Sequence, residues 1–146
     1  MELSKRLYAV ASLVTEGASV ADVRTDHGYI PIYLVKHQIA SKALALDINE
    51  GPLQRARFHI IGHGLKDQIE TRLSDGLSKV RPGEVDTMIA AGMGGGLVIK
   101  ILEEGREVVK SLRACILQPQ SEVWRVRRYL LDHNMNIIDE DMVEED

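Results

Sequence analysis

Cysteine occurs once in this sequence, at Cys115, so no internal disulfide can staple the fold. Cys115 lies in the apolar run 114–117, which reads as a buried, inert thiol. Aromatic residues make up only 4% of the chain, so the core must be aliphatic. No apolar run approaches the ~20 residues needed to cross a bilayer. The opening Met-Glu-Leu-Ser-Lys-Arg lacks the apolar core of a signal peptide. These absences predict a cytoplasmic protein with no membrane partner. Repeats and low-complexity tracts are missing as well. The formal net charge of −4 argues against a broad nucleic-acid surface without excluding a local one. Residues 139–146 carry six acids and no base, which leaves the rest near neutral to slightly basic.

What is present fits one globular domain over residues 1–146, with 45% hydrophobic and 27% charged residues. Leu3, Leu7, Val10, Ala11 and Val14 recur at helical spacing, with Gly17 as a stop. A short apolar strand at 20–23 runs into the polar turn 24–28, and a helix opens near Pro31. Strand 43–46 ends at Asp47, and a helix from Pro52 closes at Gly62 and Gly64. Strands are predicted at 69–73, 86–91 and 114–117. A helix over 97–112 is interrupted near Gly105. Ser121 is placed as the N-cap of a helix reaching about 133, and 135–142 as a sixth strand or its start. Strands alternating with helices at this spacing imply an α/β fold, a mostly parallel twisted sheet with helices on both faces.

Ligands of such sheets bind outside the carboxyl ends of the strands. The residues there are Asp26-His27-Gly28, Asp47-Ile48, Asp75-Gly76, Gly92-Met93-Gly94 and Gln118-Pro119-Gln120. A carboxylate after the second strand can accept both hydroxyls of a ribose. One after the third can accept from an adenine amine, and glycines admit close backbone approach. A dinucleotide needs Gly-x-Gly-x-x-Gly in the first turn, whereas this turn reads Arg24-Thr25-Asp26-His27-Gly28, with an acid that repels pyrophosphate. Nothing matches a P-loop. An adenosine with a cationic tail suits the acids better, and S-adenosylmethionine is that ligand.

The motifs Val-Ala-Asp-Val-Arg-Thr-Asp-His-Gly-Tyr-Ile-Pro-Ile (20–32), Ile-Ala-Ala-Gly-Met-Gly-Gly (89–95) and Ile-Leu-Gln-Pro (116–119) resemble the bacterial tRNA adenine-22 N1-methyltransferases of the TrmK type. The resemblance covers essentially the whole chain. It implies a Rossmann-like class I methyltransferase fold, here apparently without its last strand or strands and without the helical C-terminal region of the family. It also implies S-adenosyl-L-methionine as cofactor and tRNA as partner, with full tRNA binding needing a region beyond these residues. By position, Asp26, His27 and Gly28 would line the methionine and sulfonium, with Asp22 joining the cofactor-binding set. Asp47 and Ile48 would hold ribose and adenine, and Asp75 and Gly76 the adenine edge. Gly92 and Met93 would face the methyl and the target base, which Asp26 or Tyr29 would orient as catalytic residues.

Two positions depart from the family pattern: Arg24 replaces a glycine, and Gln120 stands where asparagine is usual. Arg24 keeps open a second reading, a cofactor- or RNA-binding module with impaired catalysis. The acidic balance keeps open a third, methylation of a small molecule. His59 and His63 have a metal-compatible spacing but no third ligand, so no metal is expected. Trp124 with Arg125, Arg127 and Arg128 reads as a solvated helix face, with an RNA contact as the alternative.

Overall fold

The computed structural model describes residues 2–137. Five strands form one parallel sheet in the order β3-β2-β1-β4-β5. They are β1 (Ala18–Val23), β2 (Ala40–Asp47), β3 (Ile69–Leu73), β4 (Thr87–Gly94) and β5 (Ala114–Ser121). The order reverses at the β1/β4 pair, the topological switch point at which open α/β sheets bind ligands. Both faces are covered, so β1 and β4 read as near-continuous apolar runs.

One face carries α1 (Lys5–Ser12), α2 (Tyr29–Lys36) and α3 (Glu50–Gly62). The other carries α4 (Gly95–Glu104), α5 (Arg106–Lys110) and α6 (Val123–Asp132). Side chains alternate along β1: Val20 joins the first apolar layer, Ala21 and Val23 the second. Pro31 and Pro52 each stand third in their helices, α2 and α3. A first-turn amide has no helical acceptor, so proline costs nothing there. The Ser4 hydroxyl accepts from the Leu7 amide at 3.2 Å and caps α1.

The predicted element order holds, with local corrections. Helix α1 stops at Ser12, because the chain must turn to bring the Gly17 amide onto the Ile39 carbonyl at 2.7 Å. Ser121 is not a helix cap. It is the last residue of β5, and the N-cap of α6 is Glu122, at φ +53 with no side-chain capping bond. Ser121 Oγ instead accepts from the Gly95 amide at 3.4 Å. The long helix after β4 breaks at Gly105, where a Cβ would lie 2.8 Å from Leu77 Cδ1 and 3.0 Å from the Ile101 carbonyl. Residues 135–137 are not in a strand, and the rest of the expected sixth strand, with the acidic run, lies outside the described residues. Pro119 sits in β5, an edge strand among the described residues, where a missing amide is tolerated.

The two chain segments leaving β4 and β5 touch at Gly95. A Cβ there would stand 2.5 Å from the Ser121 carbonyl oxygen and 2.9 Å from that of Glu122. Gly62, by contrast, has open space around it. Gly95→Ala is therefore expected to lose about 2–3 kcal/mol in urea denaturation, and Gly62→Ala to gain about 0.5 kcal/mol. Equal midpoints for the two variants would contradict the packing described.

Candidate functional site

The turn between β1 and α2 puts three residues in the left-handed region: Arg24 at φ +59, Asp26 at φ +56 and Gly28 at φ +76. Only glycine occupies that region without cost, so the turn must be held from outside. Helix α3 holds it with three side chains. Arg55 Nη2 donates to Asp26 Oδ1 at 3.1 Å. His59 Nδ1 lies 2.9 Å from the His27 carbonyl oxygen, and since a carbonyl only accepts, His59 carries its proton on Nδ1. Ala56 packs so closely on Gly28 that a Cβ added there would lie 3.3 Å from the Ala56 Cβ. Residues 55, 56 and 59 share one face of a helix by their spacing.

Asp26 thus appears as an ion-paired, exposed residue. The His27 ring stacks on Tyr29 at 4.9 Å and 11°, and its buried Nδ1 has no hydrogen-bond partner. The Arg24 side chain is exposed and makes no hydrogen bond or ion pair with the described residues. Its guanidinium therefore does not fill the turn from inside.

Two acids are buried beneath the turn. Asp22, only 4% exposed, sits within β1. Burial pushes its carboxyl up to about 7; the nearby charge of Asp47 adds to the rise. The Thr25 hydroxyl opposes it, although Thr25 Oγ1 makes no hydrogen bond of normal geometry. Asp47, 5% exposed, ends β2, and its Oδ1 accepts from the Asn49 amide at 3.1 Å. Ile48 beside it is exposed. After β3, Asp75 is exposed in a turn closed by Ser74 Oγ and Ser78 Oγ, and Gly76 takes φ +56 with Ile101 beneath it.

The fourth strand departs from expectation. Gly92 and Met93 lie inside β4, at a bulge against β5, and not in a loop after it. Met93 is buried in the second apolar layer, so its side chain does not face the site, and only its backbone is available to a ligand. Gly92, at φ +77, is tied across the sheet: its amide donates to Gln118 Oε1 at 2.9 Å, and Arg6 Nη1 from α1 donates to the same oxygen at 3.1 Å.

Sequence reasoning missed Arg6, Arg55, Ala56 and His59 as supports of the site. The 55/56/59 spacing showed they share a helix face but not which turn that face meets. His59 is engaged with the β1–α2 turn, and no cluster of three or more metal-ligating side chains exists among the described residues. Cys115, expected to be buried, is half-buried against the second layer, where burial pushes its thiol up to about 11, away from a reactive thiolate. Arg125 and Arg128 pair along α6 with Glu122 and Asp132.

A parallel sheet with this strand order, acids within β1 and at the end of β2, and a bulged glycine strand beside the switch point define an open α/β fold of the class that takes nucleoside-bearing ligands at the strand carboxyl ends. Family comparison agrees: a methyltransferase-domain model matches residues 3–146, and the chain belongs to that family. Among curated relatives, the tRNA (adenine(22)-N(1))-methyltransferase of Bacillus subtilis is 39% identical over 146 residues, covering all of this chain and 61% of the relative. A Streptococcus pneumoniae protein solved in complex with S-adenosyl-L-methionine superposes with a TM-score of 0.96 at 41% identity, over 99% of this chain and 68% of that one. TrmK of M. capricolum, solved with S-adenosyl-homocysteine, gives 0.89 at 33% identity, over 100% of this chain and 65% of that one. The fold is therefore Rossmann-like, of the methyltransferase type. The chain spans about three-fifths of the length of the Bacillus relative.

Two outcomes follow from the turn. Arg24→Gly relieves about 1–2 kcal/mol of left-handed strain against about 0.4–1 kcal/mol of added unfolded-state entropy. Its urea midpoint should therefore rise. Burial pushes the carboxyl of native Asp22 up to about 7, while the unfolded chain releases its proton near the ordinary aspartate value of 3.8. Its contribution is complete below 3.8 and is lost as pH rises to about 7. Asp22→Asn should flatten stability across that window, and an unchanged pH profile would show that Asp22 is already ionised.

Proposed function

We propose that these residues form an S-adenosylmethionine-dependent methyltransferase domain that methylates N1 of an adenine in tRNA, in the cytoplasm. The observation that carries the reading is the pair of buried acids, Asp22 and Asp47, beneath a turn with an unpartnered polar atom, His27 Nδ1. A buried carboxylate is costly unless it meets hydrogen-bond donors or a cation. The hydroxyls of a ribose and a cationic tail supply both, so the donor set fits this cofactor. The Bacillus relative's name and the cofactor complexes of the solved relatives support the same chemistry.

In this reading Asp47 and Ile48 hold ribose and adenine, and Asp75 and Gly76 hold the adenine edge. Asp22, the turn 26–28 and the backbone of Gly92 and Met93 surround the methionine and the methyl. S-adenosylmethionine supplies a methyl on a sulfonium, a leaving group that needs no acid. N1 of adenine carries an in-plane lone pair and needs no strong base, so the protein's task is alignment. Because N1 lies on the Watson–Crick edge, the base must be unpaired or flipped before it enters. Tyr29 offers a ring face to orient it. Asp26 is ion-paired with Arg55, which supports a part in fixing the turn; in this reading it orients the base together with Tyr29 and removes no proton. The longer relatives suggest that full tRNA binding draws on a region beyond these residues.

Thermal unfolding with and without S-adenosylmethionine tests the cofactor. At about a hundred times Kd the ligand stabilises by ~2.7 kcal/mol, a rise of several degrees that Asp47→Ala should abolish. No shift at millimolar ligand would overturn the reading. Incubation with unmodified tRNA and methyl-labelled cofactor then separates the tRNA enzyme from the alternatives. Cofactor binding without label transfer would leave the binding module, and label on a small molecule alone the third reading.

A further inference from the structure

The chain has few rings, and most of them gather on one helical layer. Three of its four tyrosines and its single phenylalanine lie on α1, α2 and α3, with His27, His37 and His59 among them. The rings of His27, Tyr29 and His59 form a triangle with centroids 4.9–5.7 Å apart and planes within 31° of one another. Phe58 meets His59 edge-on at 5.9 Å and is 77% exposed. Further along α2, Tyr33 packs on His37 at 4.3 Å and on Tyr8 of α1 at 6.2 Å. Tyr8 and Tyr29 are also exposed.

An exposed phenylalanine does nothing for the core, and Phe58 belongs to neither apolar layer. The ring surface is continuous with the β1–α2 turn, because His27 and Tyr29 belong to both. Its charge leans positive: α2 and α3 carry Lys36, Arg55 and Arg57 against Glu50, with Asp26 of the turn held by Arg55. The pairing of Arg57 with Glu50 is solvent-exposed and worth little, so a phosphate can compete for that guanidinium. A stacked ring triangle that ends in the exposed Phe58, with arginines beside it, matches how single-stranded nucleic acid is held, by base stacking with phosphate pairing.

We infer that the α2–α3 face, with Phe58 at its outer end, binds an unpaired RNA nucleotide next to the base held at Tyr29, stacking that neighbour's base on the Phe58–His59 rings. This rests on the tRNA reading for the choice of partner and adds a second, non-reacting subsite to it. A subsite of this kind accepts any base, since every base has a π-face. It would let a domain of near-neutral charge grip a loop without a broad basic surface.

Phe58 is the residue to change, because it contacts neither the cofactor residues nor the core. The probe is a single-stranded RNA oligonucleotide with 2-aminopurine beside an adenine, followed by fluorescence quenching, with intact tRNA followed by anisotropy. Phe58→Ala and Phe58→Leu are expected to weaken both probes about tenfold, and Phe58→Trp to restore them. Melting temperature and S-adenosylmethionine affinity should stay unchanged in all three. Wild-type binding by Phe58→Ala overturns the proposal. Retained binding by Phe58→Leu also overturns it, since an aliphatic contact of that kind fits a protein partner. Failure of the oligonucleotide to bind the unaltered chain would do the same. Stacking at Phe58 in a chain that transfers no methyl would leave this subsite standing and the methylation reading fallen. Methyl transfer that is indifferent to Phe58 would do the reverse.

Discussion

The close contact of Gly28 with Ala56 is the constraint on which the candidate site depends. It brings α3 against the turn after β1, near enough for Arg55 to reach Asp26 and for His59 to reach the His27 carbonyl. Without that support, a turn with three left-handed residues would relax toward commoner backbone angles, and the residues above the sheet would lose their common direction. The aliphatic core beneath is ordinary; what is particular here is a strained turn clamped by the helix that follows the next strand. The ring cluster is part of the same clamp, since His59 both fixes the turn and faces Tyr29.

Electrostatics tell a matching story. A carboxyl inside β1 and another at the end of β2 are expensive to bury, and burial pushes the Asp22 carboxyl up to about 7. A parallel sheet puts both acids at one end, because every strand points the same way. Toward the opposite end, one surface cavity along the β2–β3 edge is lined by Lys42, Lys66, Asp67 and Glu84, among others. Across the site, Arg6 and Gln118 tie α1, β4 and β5 together at Gly92. That contact fixes the carboxyl ends of β4 and β5 against α1, beside the strand pair where the order reverses.

Much of this was legible beforehand. Turn residues, apolar periodicity and the two prolines located five strands and nearly all the helices, and the acids at strand ends pointed to a nucleoside with a cationic tail. What escaped had one cause: the sequence shows residue types, not which surfaces meet. Ser121 has the chemistry of a cap but is claimed by the β4–β5 ladder, where its hydroxyl serves Gly95. Met93, in a glycine-rich run, looked like a loop residue until the bulge turned its side chain into the second layer. The histidine pair 59/63 read as surface histidines, whereas His59 reaches the His27 carbonyl and helps hold the turn.

Local chemistry by itself determined the alternation of strands and helices, the aliphatic core, the inert cysteine and the class of ligand, because each follows from near-neighbour spacing and side-chain type. Tertiary structure alone decided which side chains hold the turn, that Arg24 occupies a left-handed position with its side chain outward, and that Asp22 is sealed from water. Those properties depend on contacts between distant segments, such as Arg55 with Asp26 and Asp22 of β1 with Ile89 of β4. Such contacts exist only once the sheet has closed, because burial and hydrogen bonding are set by what lies across the gap in space.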